Sequence, residues 1–421
     1  MDRRSFLLST AWLAVAPEPS LQPPLGETPH EAQTAFASWR DGFVARAAAQ
    51  GLPEDQVRAA LSGVTPDPDV LARDGRQPEF SRTVGDYVAQ TAGPEKVGEG
   101  QTERERALSW LTPIASAYGT GPDVLVAIWG VESAYGRLQG DSDVIRSMAT
   151  LAAEGRRRSF AESELMGALR ILISGEVGRD RLKGSWAGAM GQTQFTPLDF
   201  LAYAVDGDGD GRRDIWGSSP DALGSTANFL TKKARWTPGG SAQVEVTLPG
   251  PGFDYALIES AERTPRDWAA LGVTPATGRY LRPGDADAPA DLIAPMGWKG
   301  PAFLTFPNHR AIKVYNNSTS YALGVGLLAA RIGGEGPLVR DWPSEPPLAL
   351  ADRVAAQAAL MAEGFYGGPP DGRFGPDTRR AARLWQAREG LPADGYLSFD
   401  LVQRLKAAAP SGTPAPPAPA T

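Results

Sequence analysis

The chain has 421 residues, a formal net charge of −7, two histidines and no cysteine. The acidic balance argues against a nucleic-acid binder, and the missing cysteine excludes thiol nucleophiles, thiolate zinc sites and disulfides. His30 and His309, the latter in a predicted turn at 307–310, leave almost no material for a serine–histidine–aspartate triad or a multi-histidine metal site. Carboxylate, hydroxyl, amide and aromatic chemistry remains.

The N-terminus combines an arginine pair with a short apolar run. Arg3 and Arg4 directly precede about 10 apolar residues, too few to span a bilayer as a mature helix. Residues 1–30 therefore resemble a twin-arginine export signal with a spacer, and we expect a periplasmic protein. Pro17 directly follows the small-x-small cleavage site at 14–16, and proline at this position commonly blocks cleavage. An uncleaved signal that tethers the protein to the membrane is therefore a second possibility.

Apolar residues with helical spacing dominate the large domain, which we assign to residues 31–334. The predicted helices, each with a periodic apolar pattern, cover residues 36–47, 57–61, 104–118, 122–136, 161–174 and 220–234. Strand patterns are confined to residues 243–248, 303–306 and 312–315, the last two flanking a Pro-Asn turn. The sequence predicts an α+β fold, mainly helical with a small β insertion.

Glu132 is the lone carboxylate at the end of an apolar stretch that runs from Val124 to Val131. Pro122 and Gly136 mark the start and stop of a helix whose apolar residues cover more than one face, which is typical of a buried helix. An unpaired buried carboxyl keeps its proton near neutral pH, because desolvation disfavours the charged form, and a general acid needs that proton. The alternatives are a pair with a buried arginine and a solvent-facing last turn.

Residues 184–197 combine closely spaced glycines with amide, hydroxyl and aromatic side chains. Glycines allow a backbone to approach a ligand closely. Ser185 and Gln194 offer neutral donors and acceptors, and Met190 and Phe195 offer apolar surface. That mixture fits a sugar, which has polar edges and apolar faces. An ordinary glycine loop is the alternative.

The segment 314–321 repeats this combination at a predicted strand-to-helix junction, with Tyr315, Asn316 and Tyr321 as its candidate site residues. The alternative is helix capping by Asn317 or Ser318, with the second tyrosine in the core.

These segments together resemble the lytic murein transglycosylases of the B type, over roughly residues 32–333 and in the family's order. Residues 74–80 also match a stretch near the start of that family's domain. The resemblance implies a lysozyme-like domain that cleaves the peptidoglycan glycan without water. It implies Glu132 as catalytic acid and base, and a cleft lined by Ser185, Gln194, Tyr315, Asn316 and Tyr321.

The chemistry implied by the resemblance needs one carboxylate and no cofactor. Glu132 would protonate the glycosidic oxygen between N-acetylmuramic acid and N-acetylglucosamine, then take the proton from the muramic acid C6 hydroxyl as it closes a 1,6-anhydro ring. Ser185 and Asn316 are the candidates for orienting the N-acetyl group. A hydrolytic muramidase with the same Glu132, or a non-catalytic wall-binding scaffold, remains an alternative.

Residues 206–214 resemble the first nine positions of an EF-hand loop, with Gly211 at the sharp turn. Position twelve is Gly217, so the bidentate glutamate of that motif is missing. B-type transglycosylases carry a calcium loop here, and the resemblance implies a structural calcium ion; a solvated acidic turn is the alternative. The predicted ligands are Asp206, Asp208, Asp210, the Arg212 carbonyl and Asp214.

A small unit at 351–406 follows a Pro-rich linker at 335–350, and a Pro/Ala tail at 407–421 is predicted to be disordered. The unit resembles the three-helix peptidoglycan-binding domain; a generic helical bundle is the alternative. Its Asp371-Gly372 and Asp394-Gly395 pairs each precede a helix, which suggests a half-repeat. We expect a monomer whose partner is the peptidoglycan glycan strand. The flexible linker tethers the small wall-binding unit to the large domain and so keeps the cleft near the wall polymer.

Overall fold

The computed structural model describes residues 29–75, 82–250, 253–259 and 262–408. The predicted export signal up to residue 28 and the tail beyond residue 408 lie outside these residues. Within the described ranges, no helix has the length and apolar character needed to cross a membrane.

The described chain is mainly helical. In chain order its α-helices are α1 (Pro29–Ala49), α2 (Glu54–Leu61), α3 (Pro68–Asp74), α4 (Val84–Thr91), α5 (Pro94–Tyr118), α6 (Pro122–Ser133), α7 (Val144–Glu154), α8 (Arg158–Ser174), α9 (Pro197–Tyr203), α10 (Ser219–Lys232), α11 (Pro265–Ala270), α12 (Pro307–Tyr315), α13 (Thr319–Ile332), α14 (Leu350–Ala362), α15 (Pro376–Arg388) and α16 (Phe399–Ala408).

The strands form two small antiparallel sheets. They are β1 (Ser142–Asp143), β2 (Lys183–Gly184), β3 (Gln243–Thr247), β4 (Thr274–Pro275), β5 (Asp291–Ile293) and β6 (Ala302–Thr305). β1 pairs with β2, and the four-stranded sheet has the order β4-β3-β6-β5. Val244 faces Leu304 in the β3–β6 register, and both lie in a core built around Trp268. The predicted α+β class, mainly helical with a small β insertion, is confirmed.

The chain divides into two compact units. Of the described residues, the first comprises 29–75, 91–238 and 311–334, and α6 packs there against α5 and α13. Because α6 is apolar on all faces, nearly all of it is buried. The predicted stop at Gly136 is late: α6 ends at Ser133, and Ala134 already has a positive φ of 50°.

The turn after α6 is held by Tyr135, which also has a positive φ, of 61°. Its hydroxyl donates to the Lys96 carbonyl at 3.1 Å, and its ring packs so tightly on Gly130 that a Cβ there would lie 2.6 Å from it. Non-glycine residues rarely adopt positive φ, and they do so where surrounding contacts over-determine the backbone. The turn therefore fixes the end of the helix that carries Glu132.

Residues 312–315 are helical, and the prediction of a strand there is wrong. They are the last residues of α12, and the predicted turn around His309 is the first turn of that helix. The alternation of Ile312 and Val314 suggests a strand, but Val314 is 40% exposed. The buried positions instead follow the i, i+3, i+4, i+7 spacing of a helix: Asn308, Ala311, Ile312 and Tyr315.

Of the described residues, the second unit comprises 82–90, 239–250, 253–259, 262–310 and 335–408, and so contains the four-stranded sheet and α14–α16. These three helices enclose a core around Leu360 and Trp385. The resulting three-helix domain agrees with the sequence prediction.

The predicted half-repeat is a duplicated hydrogen-bond network. The Gln357 side chain donates to Asp371 Oδ1 at 3.1 Å and accepts from the Gly372 N–H at 2.6 Å. Gln386 makes the equivalent bonds to Asp394 Oδ1 at 3.0 Å and from the Gly395 N–H at 2.8 Å. A buried glutamine on a helix thus fixes one Asp-Gly turn in each half.

The linker differs from the flexible tether that its composition predicts. Glu245 of β3, 3% exposed, accepts hydrogen bonds from the backbone N–H groups of Val339 and Arg340, each at 2.9 Å at its shortest. Glu345 accepts from the Phe399 N–H at 2.8 Å. Proline-rich composition suggests a solvated spacer, yet two backbone donors of this segment and the Glu345 carboxylate are bonded within its unit.

The three-helix domain also contacts the sheet region of its own unit. Asp394 Oδ2 accepts from the Trp298 N–H at 2.9 Å, while its Oδ1 serves the half-repeat. Glu259 forms ion pairs with Arg379 and Arg383. Within the second unit, therefore, the domain is attached by side chains as well as by the chain itself.

Candidate active site

Glu132 lies one residue from the end of α6 and is 5% exposed. Its Oε1 accepts a hydrogen bond from the Tyr321 hydroxyl at 2.5 Å. Its Oε2 is buried and has no hydrogen-bond partner among the described residues, where no arginine or lysine forms an ion pair with it either. Neither a buried arginine pair nor a solvent-facing position, the two alternatives left by the sequence, matches this geometry.

The environment of Glu132 favours its protonated form. Burial raises the pKa of the carboxyl to about 8, and the hydrogen bond from Tyr321 offsets part of that rise. A carboxyl with this pKa is mostly protonated at pH 7. Because the Tyr321 hydroxyl already donates to Oε1, the proton belongs on Oε2, the oxygen without a partner.

Helices α12 and α13 bring the two predicted tyrosines to α6. The Tyr315 hydroxyl donates to the Thr193 carbonyl at 2.6 Å. Burial, and then the nearby Glu132 carboxyl, hold the pKa of Tyr315 well above its usual range. Ser318 caps α13 by accepting from the Tyr321 N–H at 3.3 Å, as the capping alternative expects, and this cap sets the position from which Tyr321 reaches Glu132.

Asn316 lies between these tyrosines at the end of α12. It is 9% exposed, and its side-chain amide makes no hydrogen bond to the described residues. The amide is therefore available to a ligand that supplies a partner.

The glycine-rich segment at 184–197 is tied to the end of α6. Ser133 Oγ donates to the Gln192 carbonyl at 2.5 Å and accepts from the Gly136 N–H at 2.8 Å. Gly191 has a φ of 71°, and a Cβ there would lie 2.7 Å from the backbone of Ile215. Glycine is therefore required where this segment passes the chain that follows the acidic loop.

The side chains of the segment are held from within. Ser185 Oγ accepts from the Ala189 N–H at 3.1 Å. Gln194, with a φ of 57°, donates its amide to the carbonyls of Gln139 and Gly191 at 3.0 and 2.9 Å. Both predicted residues are thus present in a fixed orientation, at 7% and 4% exposure.

Met190 and Phe195 do not form the predicted apolar surface for a sugar. They are 0% and 2% exposed, and the Phe195 ring packs 6.1 Å from that of Tyr315. Their backbones pair with each other, which turns both side chains into the core.

The sequence did not predict two buried polar residues near the site, Ser133 and Glu164. Glu164 of α8 is 4% exposed and accepts a hydrogen bond from the Leu198 N–H at 3.0 Å, which holds the end of the glycine-rich segment. Burial raises the pKa of Glu164 to about 7. Its place on the apolar face of α8, between Ala161 and Ala168, was the available signal.

The acidic loop brings three of its predicted ligands together. Carboxylate oxygens of Asp206, Asp208 and Asp210 all lie within 4.8 Å of one another, and all three residues are exposed. Clustered carboxylates on a turn suit a calcium ion. Asp214 lies apart, because it pairs with Arg181 at 2.7 Å.

Arg212 and the buried Asp221 define the rest of the loop. The Arg212 N–H donates to Asp210 Oδ1 at 2.8 Å. Asp221, 0% exposed, accepts from the N–H groups of Gly207 and Asp214 at 2.7 and 2.6 Å. Asp221 therefore supports the loop through buried hydrogen bonds. It lies after the twelfth position of the motif, so a search by motif does not find it.

The fold and the site together define a mainly helical domain in which the buried Glu132 carboxyl, with its raised pKa, accepts a hydrogen bond from Tyr321. Residues 35–330 match the family model described as the transglycosylase SLT domain, and residues 350–405 match that of a putative peptidoglycan binding domain. The chain belongs to the transglycosylase SLT domain family and carries a C-terminal peptidoglycan-binding domain. The family and the enzyme class predicted from the sequence are confirmed.

The relatives agree with this assignment. The membrane-bound lytic murein transglycosylase B of Escherichia coli (strain K12) is 32% identical over 247 residues, which cover 58% of this chain and 66% of the relative. The structure of SltB3 from Pseudomonas aeruginosa in complex with NAG-anhNAM-pentapeptide is 46% identical, with a TM-score of 0.84 over 88% of this chain and 99% of that one.

A more distant relative has been solved with calcium. The structure of the Escherichia coli lytic transglycosylase Slt35 in complex with calcium is 28% identical, with a TM-score of 0.57 over 72% of this chain and 94% of that one.

Proposed function

We propose that this protein cleaves the bond between N-acetylmuramic acid and N-acetylglucosamine in peptidoglycan without water, leaving 1,6-anhydromuramic acid ends. Glu132 is the catalytic residue. The observation that carries the proposal is its buried, partnerless Oε2, on a carboxyl whose pKa of about 8 keeps it protonated at neutral pH. A proton held there is available to the glycosidic oxygen of a bound glycan.

The same residue completes the reaction. After proton transfer Glu132 is a carboxylate, and the Tyr321 hydroxyl at Oε1 stabilises that charge by hydrogen bonding. It then accepts the proton of the C6 hydroxyl as that oxygen bonds to the anomeric carbon. Glu132 therefore ends the cycle protonated, as it began. A tethered hydroxyl outcompetes water, because effective molarities of well-oriented groups reach about 10⁵ M or more.

Asn316 and Ser185 supply the polar groups for the N-acetyl substituent. The Asn316 amide can hydrogen-bond the N-acetyl group and orient it, so that the acetyl oxygen stabilises the developing positive charge at the anomeric carbon. Ser185 is oriented for this task by the Ala189 N–H, which donates to its Oγ and leaves the hydroxyl proton for a ligand. The SltB3 complex with an anhydromuramyl ligand supports the anhydro product for this chain.

The test is digestion of purified sacculi by the parent and by Glu132→Gln, with mass analysis of the released muropeptides. The amide can neither donate the required proton nor accept one, so we expect loss of nearly all activity with wall binding retained. Glu95→Gln, on the exposed side of α5, is the matched control and should digest normally.

Product mass separates the alternatives. Muropeptides one water lighter than those released by a hydrolytic muramidase support the proposal. Hydrated reducing ends would make the enzyme a hydrolase with the same Glu132. Absence of any turnover by the parent would leave a wall-binding scaffold, and full activity in the Gln variant would mean that another residue is the acid.

The acidic loop is proposed to hold a structural calcium ion through Asp206, Asp208 and Asp210, with the Arg212 carbonyl as a further donor. The carboxylate cluster and the Slt35 complex with calcium support this. Asp214 would join only by giving up its pair with Arg181. The reaction itself needs no metal.

Export is proposed to follow the twin-arginine route to the periplasm, where peptidoglycan lies. Replacing Arg3 and Arg4 with Lys should strand the protein in the cytoplasm, which cell fractionation would show. Normal periplasmic levels would overturn this route, and the N-terminus of the mature protein would show whether Pro17 leaves a membrane tether.

A further inference from the structure

Three half-buried aromatic rings form a row in the second unit, outside the catalytic site. The ring of Tyr255 lies 5.3 Å from that of Phe253 and 5.6 Å from that of Trp298. Phe253 and Tyr255 rest on the core of the four-stranded sheet. We call Phe253, Tyr255 and Trp298 the aromatic row.

The polar edges of the row make no hydrogen bond within the described part of the chain. Among the described residues, neither the Trp298 indole N–H nor the Tyr255 hydroxyl has a hydrogen-bond partner. Trp268 in the same unit is the contrast: it is fully buried, and its indole N–H donates to the Ala290 carbonyl at 3.0 Å. A fully buried tryptophan usually satisfies its N–H in this way, whereas Trp298 is only partly buried and its N–H makes no bond to the described residues.

The backbone of Trp298 is held by hydrogen bonds, whereas its side chain makes none to the described residues. Its N–H donates to Asp394 Oδ2 at 2.9 Å, and its carbonyl lies 3.5 Å from the Arg340 guanidinium, which also reaches the Lys299 carbonyl at 3.3 Å. Asp394 is 7% exposed. The ring is therefore presented from a fixed backbone, which lowers the entropy cost of using it in binding.

A cation completes the surface. The Lys299 ammonium lies 5.9 Å from the centre of the Trp298 ring, is exposed, and has no acidic partner among the described residues. An aromatic row with free donors and a neighbouring cation is complementary to a sugar chain that carries carboxylates. Peptidoglycan strands have this chemistry: amino sugars with apolar faces and acidic stem peptides.

We propose that the aromatic row and Lys299 form a second glycan-binding surface, on which sugar rings of a peptidoglycan strand stack against Tyr255 and Trp298. The surface is continuous with the peptidoglycan-binding domain, because Asp394 of that domain holds the Trp298 N–H. This inference rests on the proposed function, since it takes peptidoglycan as the substrate. Strand binding at this surface would hold long glycans on the enzyme between cleavage events.

The test uses the full chain with Glu132→Gln, so that binding is measured without digestion. The probes are insoluble sacculi and glycan strands stripped of stem peptides by an amidase. Trp298→Ala should weaken binding of both probes roughly tenfold, as expected for a tryptophan anchor, and Tyr255→Ala several-fold. Tyr280→Ala, which removes a 73% exposed ring elsewhere in the same unit, is the matched control and should bind normally.

Trp298→Phe guards against misfolding, because it keeps an aromatic face and should retain most of the binding. The proposal is overturned if Trp298→Ala and Tyr255→Ala bind both probes as well as Tyr280→Ala does. It is also overturned if they lose sacculi but keep stripped strands, since the ligand would then be the stem peptide. Product mass from the parent enzyme tests the proposed reaction separately and does not depend on these outcomes.

Discussion

Glu132 is uncharged at neutral pH because its burial is not compensated by a cation, and this state has a thermodynamic signature. Its pKa is about 8 in the folded protein, against 4.5 for an unburied carboxyl. The folded state therefore holds this proton more tightly than the unfolded state. Stability from that difference is fully present below about pH 4.5 and is lost as pH rises through the folded pKa near 8.

Glu132→Gln removes this dependence, because an amide does not titrate. We expect the melting temperature of the parent to fall relative to that of the variant between pH 5 and pH 8, as measured by circular dichroism across buffers. Glu95→Gln should track the parent throughout. Parallel melting curves for Glu132→Gln and its parent over this range would contradict the elevated pKa.

Tyr321→Phe tests the hydrogen bond at Oε1. The Tyr321 hydroxyl lowers the Glu132 pKa, so its removal should raise that pKa further and move the alkaline limb of kcat/KM to higher pH. The activity maximum should fall, because the carboxylate formed during the reaction loses its donor. Initial rates on soluble glycan strands across pH would measure both. An alkaline limb that stays in place, or moves to lower pH, would show that the hydroxyl does not act on Glu132.

At the scale of the elements, the sequence predicts the helices in which apolar spacing and tertiary burial agree, such as α6, α8 and α10, but not α3, α4, α7, α9 or α11. α12 is the one predicted as a strand. The spacing of Ile312 and Val314 fits a strand, and only the burial of Asn308, a polar residue, reveals the helical stripe. Pattern analysis assigns a polar residue to the surface, so it cannot find a stripe that includes one.

The acidic loop shows a second limit. Its alternating aspartates identify a candidate metal site from local sequence, but the Asp214–Arg181 pair and the inner support from Asp221 depend on tertiary contacts. The motif therefore predicts the cluster of three carboxylates, and not which further residues join it. Glu132, Tyr315 and Tyr321, by contrast, lie in short segments with distinctive composition, which is why they could be predicted.

Calcium should stabilise the loop by relieving repulsion among its clustered carboxylates. Without the position-twelve glutamate we expect weak affinity, about 10⁻⁴ to 10⁻³ M, so millimolar calcium should raise the melting temperature. The double variant Asp208→Ala, Asp210→Ala should abolish that rise. Asp287→Ala, at a 79% exposed carboxylate outside the loop, should not. If calcium leaves the melting temperature of the parent protein unchanged, the proposal that the loop binds calcium is wrong.

At the scale of the whole molecule, the bonded linker predicts that the three-helix domain and the sheet unfold together. Calorimetry should show one transition for the second unit, because Glu245, Glu259 and Asp394 connect its parts. Glu245→Gln leaves its shape but weakens bonds to Val339 and Arg340, and it should broaden or split that transition. A three-helix domain that melts independently in the parent would restore the flexible tether predicted from composition.

The hydrogen bond between Tyr321 and Glu132 joins residues 189 positions apart. Contacts this distant in sequence close large loops, which costs chain entropy and slows folding. A nascent chain leaving the ribosome has therefore to finish nearly the whole catalytic domain before the acid gains its hydroxyl. Chains truncated before α13 would be made without that partner, so premature termination of synthesis yields fragments that lack the complete active site.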